Sequence, residues 1–363
     1  IYETYPASKP AWIDCLIGLA RFGVNVAIQS RNKVAEEKWS DIGSSRCSEL
    51  SDMSPETGRL YHHWATLASP DLLQQLFLFA KSLCTATPFQ RSRIDIQHLF
   101  DSIMDPTLSQ IKSMPAVAEL AFVRVHAIIF KGQDPKSCLQ IFVQTLDSRI
   151  QSEMGKWLQA GQVISPSLSP SLFSYSYKAS PFSTIDDTTK PMESSSPADS
   201  LKRNARKPQA LNKHALELFA RSYNVVLGRY SDPNVLPYLH VTLSFMYRIA
   251  FYPDVFGLLA ASFDWERTAI MLNEFIRCPN PHLQMEPYSL PDAENGRPLP
   301  EDHAMRGLPW AIKTNFGGAP DYHHRYVELA SLARTRKERI LWFARRFAQD
   351  TNYRWLLYES REF

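Results

Sequence analysis

Apolar residues recur along this chain at helical spacing, and alternation of the kind that marks strands is nowhere sustained. Trp12, Cys15, Leu16, Leu19, Ala20, Phe22, Val26 and Ala27 predict a first helix that ends near Ser30. Ser54-Pro55-Glu56 and Ser69-Pro70-Asp71 each combine an N-cap, a first-turn proline and an early acid, so two further helices are predicted to begin there. The second carries Leu72, Leu73, Leu76, Phe77, Ala80, Leu83 and Cys84 on one stripe, with Pro88 to stop it. The pair reads as an αα-hairpin. Gly58, Tyr61, Ala65, Phe77 or Phe79, Ala80 and Pro88 give it a compressed tetratricopeptide pattern.

A second pair is predicted over Val117 to Phe130 and Cys138 to Trp157, separated by Gly132 and Pro135. Residues 161–210 then turn rich in Ser, Pro and Thr and are expected to form a disordered linker, since little apolar surface is available to offset the entropy of ordering. The linker holds four Ser-Pro pairs (Ser165, Ser169, Ser180, Ser196), candidate targets of proline-directed kinases, and a basic cluster at Lys202, Arg203, Arg206 and Lys207. Helical periodicity resumes at Leu211 and recurs over Val235 to Ala250, Phe256 to Phe263 and Trp265 to Ile276. After an irregular stretch from Pro279 to Pro309 comes a last helix near Arg334 to Asp350, and then an aromatic tail, Tyr353, Trp355, Tyr358 and Phe363, expected to fold back on the core. The expectation is an all-α, α-solenoid-like chain: helical hairpins over 1–160, a linker over 161–210, and a second helical block over 211–363.

Composition narrows the function. Of 363 residues, 40 are Lys or Arg and 37 Asp or Glu, so a net charge of +3 leaves any nucleic-acid surface to be a local patch. Five scattered cysteines, never in a C-x-x-C pair, point away from disulfide frameworks and zinc knuckles and toward a reducing compartment, nucleus or cytosol. The longest apolar stretches, Cys15 to Ile28 and Leu236 to Phe263, are interrupted by charge, and no membrane span is expected. The chain opens on Ile1 rather than Met and is expected to be part of a longer protein.

Motifs for catalysis are missing: there is no G-x-G-x-x-G, P-loop, G-x-S-x-G or H-E-x-x-H. Adjacent histidines (His62-His63, His323-His324) diverge by about 100° on a helix and make no chelate alone. Acidic pairs such as Asp186-Asp187 and Glu301-Asp302 have no partner base, so no enzyme, cofactor or metal site is expected. The best electrostatic signal is the last helix. Arg334, Arg336, Lys337, Arg339, Arg345 and Arg346 alternate there with Ile340, Leu341, Phe343, Ala344 and Phe347. Of these, Arg336, Lys337, Arg339 and Arg346, with Trp342 for stacking, are candidate nucleic-acid contacts, while Lys81 and Arg59 on the first hairpin are candidate phosphoserine contacts.

Four stretches together resemble a known family: Gly58-Arg59-Leu60-Tyr61-His62-His63 with Ala65, Lys81-Ser82-Leu83 ending in Pro88-Phe89, Leu299-Pro300-Glu301-Asp302 with Arg306-Gly307, and Arg339-Ile340-Leu341-Trp342. The order and spacing resemble the family that joins the telomerase-associated "ever shorter telomeres" proteins to adaptors of nonsense-mediated mRNA decay, in a fungal version. That resemblance implies a 14-3-3-like tetratricopeptide domain followed by a helical DNA/RNA-binding domain. It implies a non-catalytic adaptor of nucleus and cytoplasm, with a phosphorylated RNA helicase as partner and RNA or telomeric single-stranded DNA as a further ligand. A purely structural protein-binding scaffold is the remaining alternative. The family's phosphate-reading cation falls on Lys81. Its first helices, which carry another such cation, are expected to precede Cys15, and the nuclease-like domain that ends some members is expected to be absent.

Overall fold

The computed structural model describes residues 6–104, 117–152, 154–184, 211–230, 232–277, 298–311 and 330–350, and among them every regular element is a helix. The amino-terminal half contains α1 (Lys9–Gln29), α2 (Lys33–Met53), α3 (Gly58–Leu67), α4 (Leu72–Cys84), α5 (Ser92–Met104), α6 (Val117–Phe130), α7 (Lys136–Ser152) and α8 (Met154–Leu172). The carboxy-terminal half contains α9 (Lys213–Leu227), α10 (Leu236–Ile249), α11 (Pro253–Ala260), α12 (Trp265–Arg277), α13 (Pro300–Met305) and α14 (Ala330–Asp350). Successive helices pair as hairpins, α1 on α2, α3 on α4 and α6 on α7, as an all-α solenoid-like architecture requires. Two helices, α2 and α5, were not among those expected, although α5 buries Ile96, Phe100 and Ile103 at helical spacing.

Capping residues set several boundaries. The Asn32 side chain accepts from the Ala35 N–H at 3.0 Å to start α2, and Asp71 accepts from the Gln74 N–H at 3.0 Å to start α4. The true starts of α3 and α4 therefore lie a few residues beyond the expected caps Ser54 and Ser69. Gly58 opens α3 against backbone: a Cβ there would come within 2.4 Å of the Ser82 carbonyl oxygen and 2.7 Å of that of Thr87.

The largest departure from expectation is α8. Residues 161–172 are helical rather than linker, and residues 173–184 continue as turns and short 3-10 segments against the core. Ile164, Leu168 and Leu172, spaced i, i+4, i+8, are buried and give α8 its apolar stripe despite the Ser/Pro composition. Two prolines lie inside this helix. Pro170 cannot donate to the Pro166 carbonyl, but the Ser169 hydroxyl donates to that oxygen at 3.2 Å and replaces the missing bond. α8 packs on α4 on one side and on α10 on the other, so both halves share one continuous apolar core. Ser165, Ser169 and Ser180 are consequently buried, and a kinase cannot reach them in this fold. Ser165 Oγ lies 3.0 Å from Thr242 Oγ1, and Ser169 Oγ accepts from Trp310 Nε1 at 2.9 Å. Ser196, the basic cluster at 202–207 and the aromatic tail lie outside the described residues.

α1 also differs from expectation. It is 21 residues long with a mean hydropathy of 1.5 over its most apolar window, long and apolar enough to cross a membrane by length and composition. Its inner face, Ile13, Ile17, Ala20, Val24 and Ala27, is buried in the helical stack.

Candidate nucleic-acid interface

Lys81 sits in the last turn of α4, and its side chain is enclosed. Nζ donates to the Ala304 carbonyl of α13 at 2.9 Å and lies 4.1 Å from the centroid of the Tyr61 ring. Burial pushes its pKa well below the usual lysine value. Arg59 instead faces outward on α3 and pairs with Asp14 of α1. The structure thus does not bring Lys81 and Arg59 into one phosphate pocket: α13 covers the first, and an α1 carboxylate engages the second.

α13 is the centre of a buried charge junction. Glu301 Oε1 accepts from Arg336 Nε of α14 at 2.7 Å and lies 3.1 Å from His240 Nδ1 of α10, while Glu301 Oε2 accepts from the second Arg336 nitrogen at 3.2 Å. Asp302 Oδ2 accepts from Arg339 at 2.6 Å and from the Leu299 N–H at 2.8 Å, closing the start of α13. Burial alone would raise the Glu301 pKa, but the Arg336 charge and the His240 contact hold it well below the usual carboxylate range. Arg336 and Arg339, expected to meet nucleic-acid phosphates, are buried and meet these two carboxylates instead. Buried charges persist only when paired and hydrogen-bonded in this way.

The Arg306-Gly307 motif extends the junction to the first hairpin. Arg306 pairs with Asp52, and the Tyr61 hydroxyl donates to the Pro55 carbonyl at 2.8 Å and reaches the Arg306 carbonyl at 3.3 Å. Gly307 has φ of +81°, and a Cβ there would lie 2.0 Å from the Pro55 oxygen, so only glycine fits. The Leu-Pro-Glu-Asp and Arg-Gly residues therefore tie α3, α4, α10 and α14 together.

The outward side of α14 is different. Arg334, Lys337, Trp342, Arg345 and Arg346 retain solvent exposure there. The Arg346 guanidinium lies 5.5 Å from the Trp342 ring centroid, and Lys337 Nζ lies 5.6 Å from that of Phe275. Trp342 meets Tyr247 edge-on at 6.1 Å, and Tyr247 meets Phe251 at 5.3 Å. Phe251, just beyond α10, is half exposed. Two donors in this neighbourhood, Trp342 Nε1 and Arg248 Nε, are buried without a hydrogen-bond partner among the described residues. Aromatic rings flanked by cations suit an anionic, base-bearing strand. Tyr247, Arg248 and Phe251 were missed in the sequence, although aromatic and basic residues interleave over Tyr247-Arg248 and Phe251-Tyr252.

One cluster has the outline of a catalytic relay. His62 Nδ1 lies 3.1 Å from Ser92 Oγ, and His62 Nε2 lies 3.4 Å from Asp95 Oδ2. Ser92, however, is fully buried, and its hydroxyl is 2.7 Å from that of Ser82, which itself donates to the Gly58 carbonyl at 2.6 Å. With Phe89 and Phe79 packed on the His62 ring, a substrate has no approach to this serine. The cluster locks α3, α4 and α5 together. Burial pushes His63, its neighbour, down to a pKa of about 3.

Comparison with curated proteins finds no match. The family model of the Est1 DNA/RNA binding domain matches residues 51–309, more than two thirds of the chain. The matched span starts at the end of α2, takes in Gly58, Tyr61 and Lys81, and ends with the α13 junction. That domain is a non-enzymatic binding domain. The chain therefore belongs to the Est1 DNA/RNA binding domain family, which joins the telomerase-associated "ever shorter telomeres" proteins to adaptors of nonsense-mediated mRNA decay.

Proposed function

We propose that this chain is an adaptor that holds single-stranded nucleic acid, RNA or telomeric DNA, on the outward side of α14 and the end of α10. The observation that carries the reading is the set Trp342, Tyr247 and Phe251, with the Arg346 guanidinium beside the Trp342 ring. Unpaired bases stack on such rings with little regard for sequence, each worth about 1–3 kcal/mol, while the cations follow the phosphates. A duplex hides its bases and gains only the charge contribution.

Fluorescence anisotropy with labelled single-stranded RNA, G-rich single-stranded DNA and a duplex tests the reading. Single strands are expected to bind more tightly than the duplex, and Phe251→Ala and Trp342→Ala to weaken them by about 1–3 kcal/mol each. Equal affinity for strand and duplex, or variants that bind like the unaltered chain, would refute it. The preference between RNA and G-rich DNA assigns the role to transcript decay or to telomeres. Recognition of a phosphorylated helicase, the reading attached to Lys81, has less support, because it requires α13 to leave the ammonium it now covers.

A further inference from the structure

Among the described residues, three serines of Ser-Pro pairs are buried, but they are not held alike. Ser165 and Ser169 lie within α8, and their hydroxyls bond to Thr242 and Trp310 of the carboxy-terminal half. Ser180 lies beyond α8, and its Oγ accepts from the N–H of Phe182, two residues on, at 3.3 Å. Residues 173–184 run as a strap across the helices. The backbone hydrogen bonds of the strap are local: the N–H groups of Ser176, Ala179, Ser180 and Ser183 each reach back three residues. Side chains tie it down. The Tyr175 hydroxyl lies 2.6 Å from Nδ1 of the buried His126 in α6, Arg93 of α5 donates to the Tyr175 carbonyl at 3.1 Å, and the Phe182 ring meets Tyr252 edge-on at 5.1 Å. Ser174 and Tyr175 follow this path at φ of +52° and +55°, a left-handed backbone that favours glycine. The base of the strap is closed separately. The Asn212 N–H donates to the Leu172 carbonyl at 3.1 Å, so the chain leaves α8 and returns to it at one point. Lifting the strap leaves that junction intact, and local opening of this kind costs less than global unfolding.

We propose that the strap opens as a unit when the Tyr175 latch releases, and that Ser180 is a phosphorylation site exposed by this opening, whereas Ser165 and Ser169 are not sites. In the open form a proline-directed kinase engages Ser180-Pro181. The γ-phosphoryl group of ATP passes to Ser180 Oγ, the hydroxyl proton goes to the catalytic base of the kinase, and ADP leaves. The new group carries about two negative charges at pH 7. A buried position whose hydrogen-bond partner is a backbone N–H of the strap itself does not readmit that charge, so modification holds the strap open.

Incubation of the whole chain with a cyclin-dependent kinase and ATP, with phosphopeptides mapped by mass spectrometry, tests the proposal. A synthetic peptide of residues 174–184 reports how fast the same kinase modifies Ser180 without a fold. Ser180 of the folded chain is expected to be modified more slowly than the peptide, and Ser165 and Ser169 not at all. Tyr175→Phe, which removes the latch hydroxyl, is expected to speed modification of Ser180 several-fold. Ser174→Gly, which relieves a left-handed position in the closed strap, is expected to slow it several-fold. Hydrogen exchange of the unaltered chain is a second readout that needs no variant: amides of residues 176–183 are expected to exchange ahead of those of residues 164–172. Ser180 left unmodified under conditions that modify the peptide, Ser165 or Ser169 modified as fast as Ser180, rates indifferent to both substitutions, or exchange of the strap in step with α8 would overturn the proposal.

Discussion

The two sides of α14 carry the same residue type in opposite circumstances. Arg336 and Arg339 are buried, each engaging a carboxylate of α13, while Arg345 and Arg346 border solvent beside Trp342. The buried pair is structural: its charges fasten α14 to α10 and the first hairpin, and removing one partner strands the other in a low-dielectric interior. The outward pair keeps part of its surface in solvent, with the Arg346 guanidinium beside the Trp342 ring. A cation count along this helix therefore measures two quantities at once, and only position relative to the apolar stripe separates them.

Breaking the buried side has the largest expected effect. Glu301→Ala leaves Arg336 uncompensated and is expected to cost about 3–5 kcal/mol in urea unfolding. The double replacement Glu301→Leu/Arg336→Met is expected to restore much of that loss, since a well-packed apolar pair avoids the desolvation cost. Gly307→Ala is next, at about 1–3 kcal/mol, because the left-handed backbone and the Pro55 carbonyl both exclude a Cβ.

The junction also makes stability pH-dependent. The Glu301 pKa is lowered in the fold, so its contribution is present above its ordinary value of 4.5 and is lost as pH falls further. His303, on the same helix, is pushed by burial from 6.5 to about 4. The unfolded chain then takes up a proton that the folded chain refuses, and stability falls as pH drops from 6.5 toward 4. His303→Gln is expected to flatten unfolding midpoints across that window. Lys81 has the same sign at the other end. Its lowered pKa means that the unfolded chain binds more protons below 10.5, so stability rises as pH approaches that value. Lys81→Met removes the rise and is expected to be neutral or stabilising near pH 7. The smallest folding effect belongs to exposed surface pairs such as Arg277 with Glu274, where Arg277→Ala is expected to shift stability by less than about 0.5 kcal/mol.

Much of this fold was legible in the sequence, for physical reasons that can be traced. Helices with a clear 3.6-residue stripe, such as α4, α6, α10 and α12, were read close to their true limits because burial is what stabilises them. α8 was missed because its composition speaks of disorder while only Ile164, Leu168 and Leu172 speak of a core, and Ser169 repairs the proline defect locally. At the site, the motif residues were visible but their roles were not. Arg336 lies four, seven and eleven residues before Ile340, Phe343 and Phe347, a spacing that places it on the buried stripe. That signal was present, but a basic residue in an apolar register reads as interior only once a carboxylate such as Glu301 is known to meet it. The platform across α10 and α14 joins residues nearly a hundred positions apart, and no local pattern reports such a contact.

The proposed nucleic-acid surface is the outward side of α14 and not the cations enclosed at α13. Its most direct test is the affinity of a single-stranded oligonucleotide for Arg345→Glu/Arg346→Glu beside Lys81→Met, measured across a salt series. The double variant is expected to lose more than about 1.4 kcal/mol, a factor of ten, with a shallower salt slope, while Lys81→Met is expected to bind as the unaltered chain does. An unchanged affinity in the double variant, or a loss confined to Lys81→Met, would contradict it.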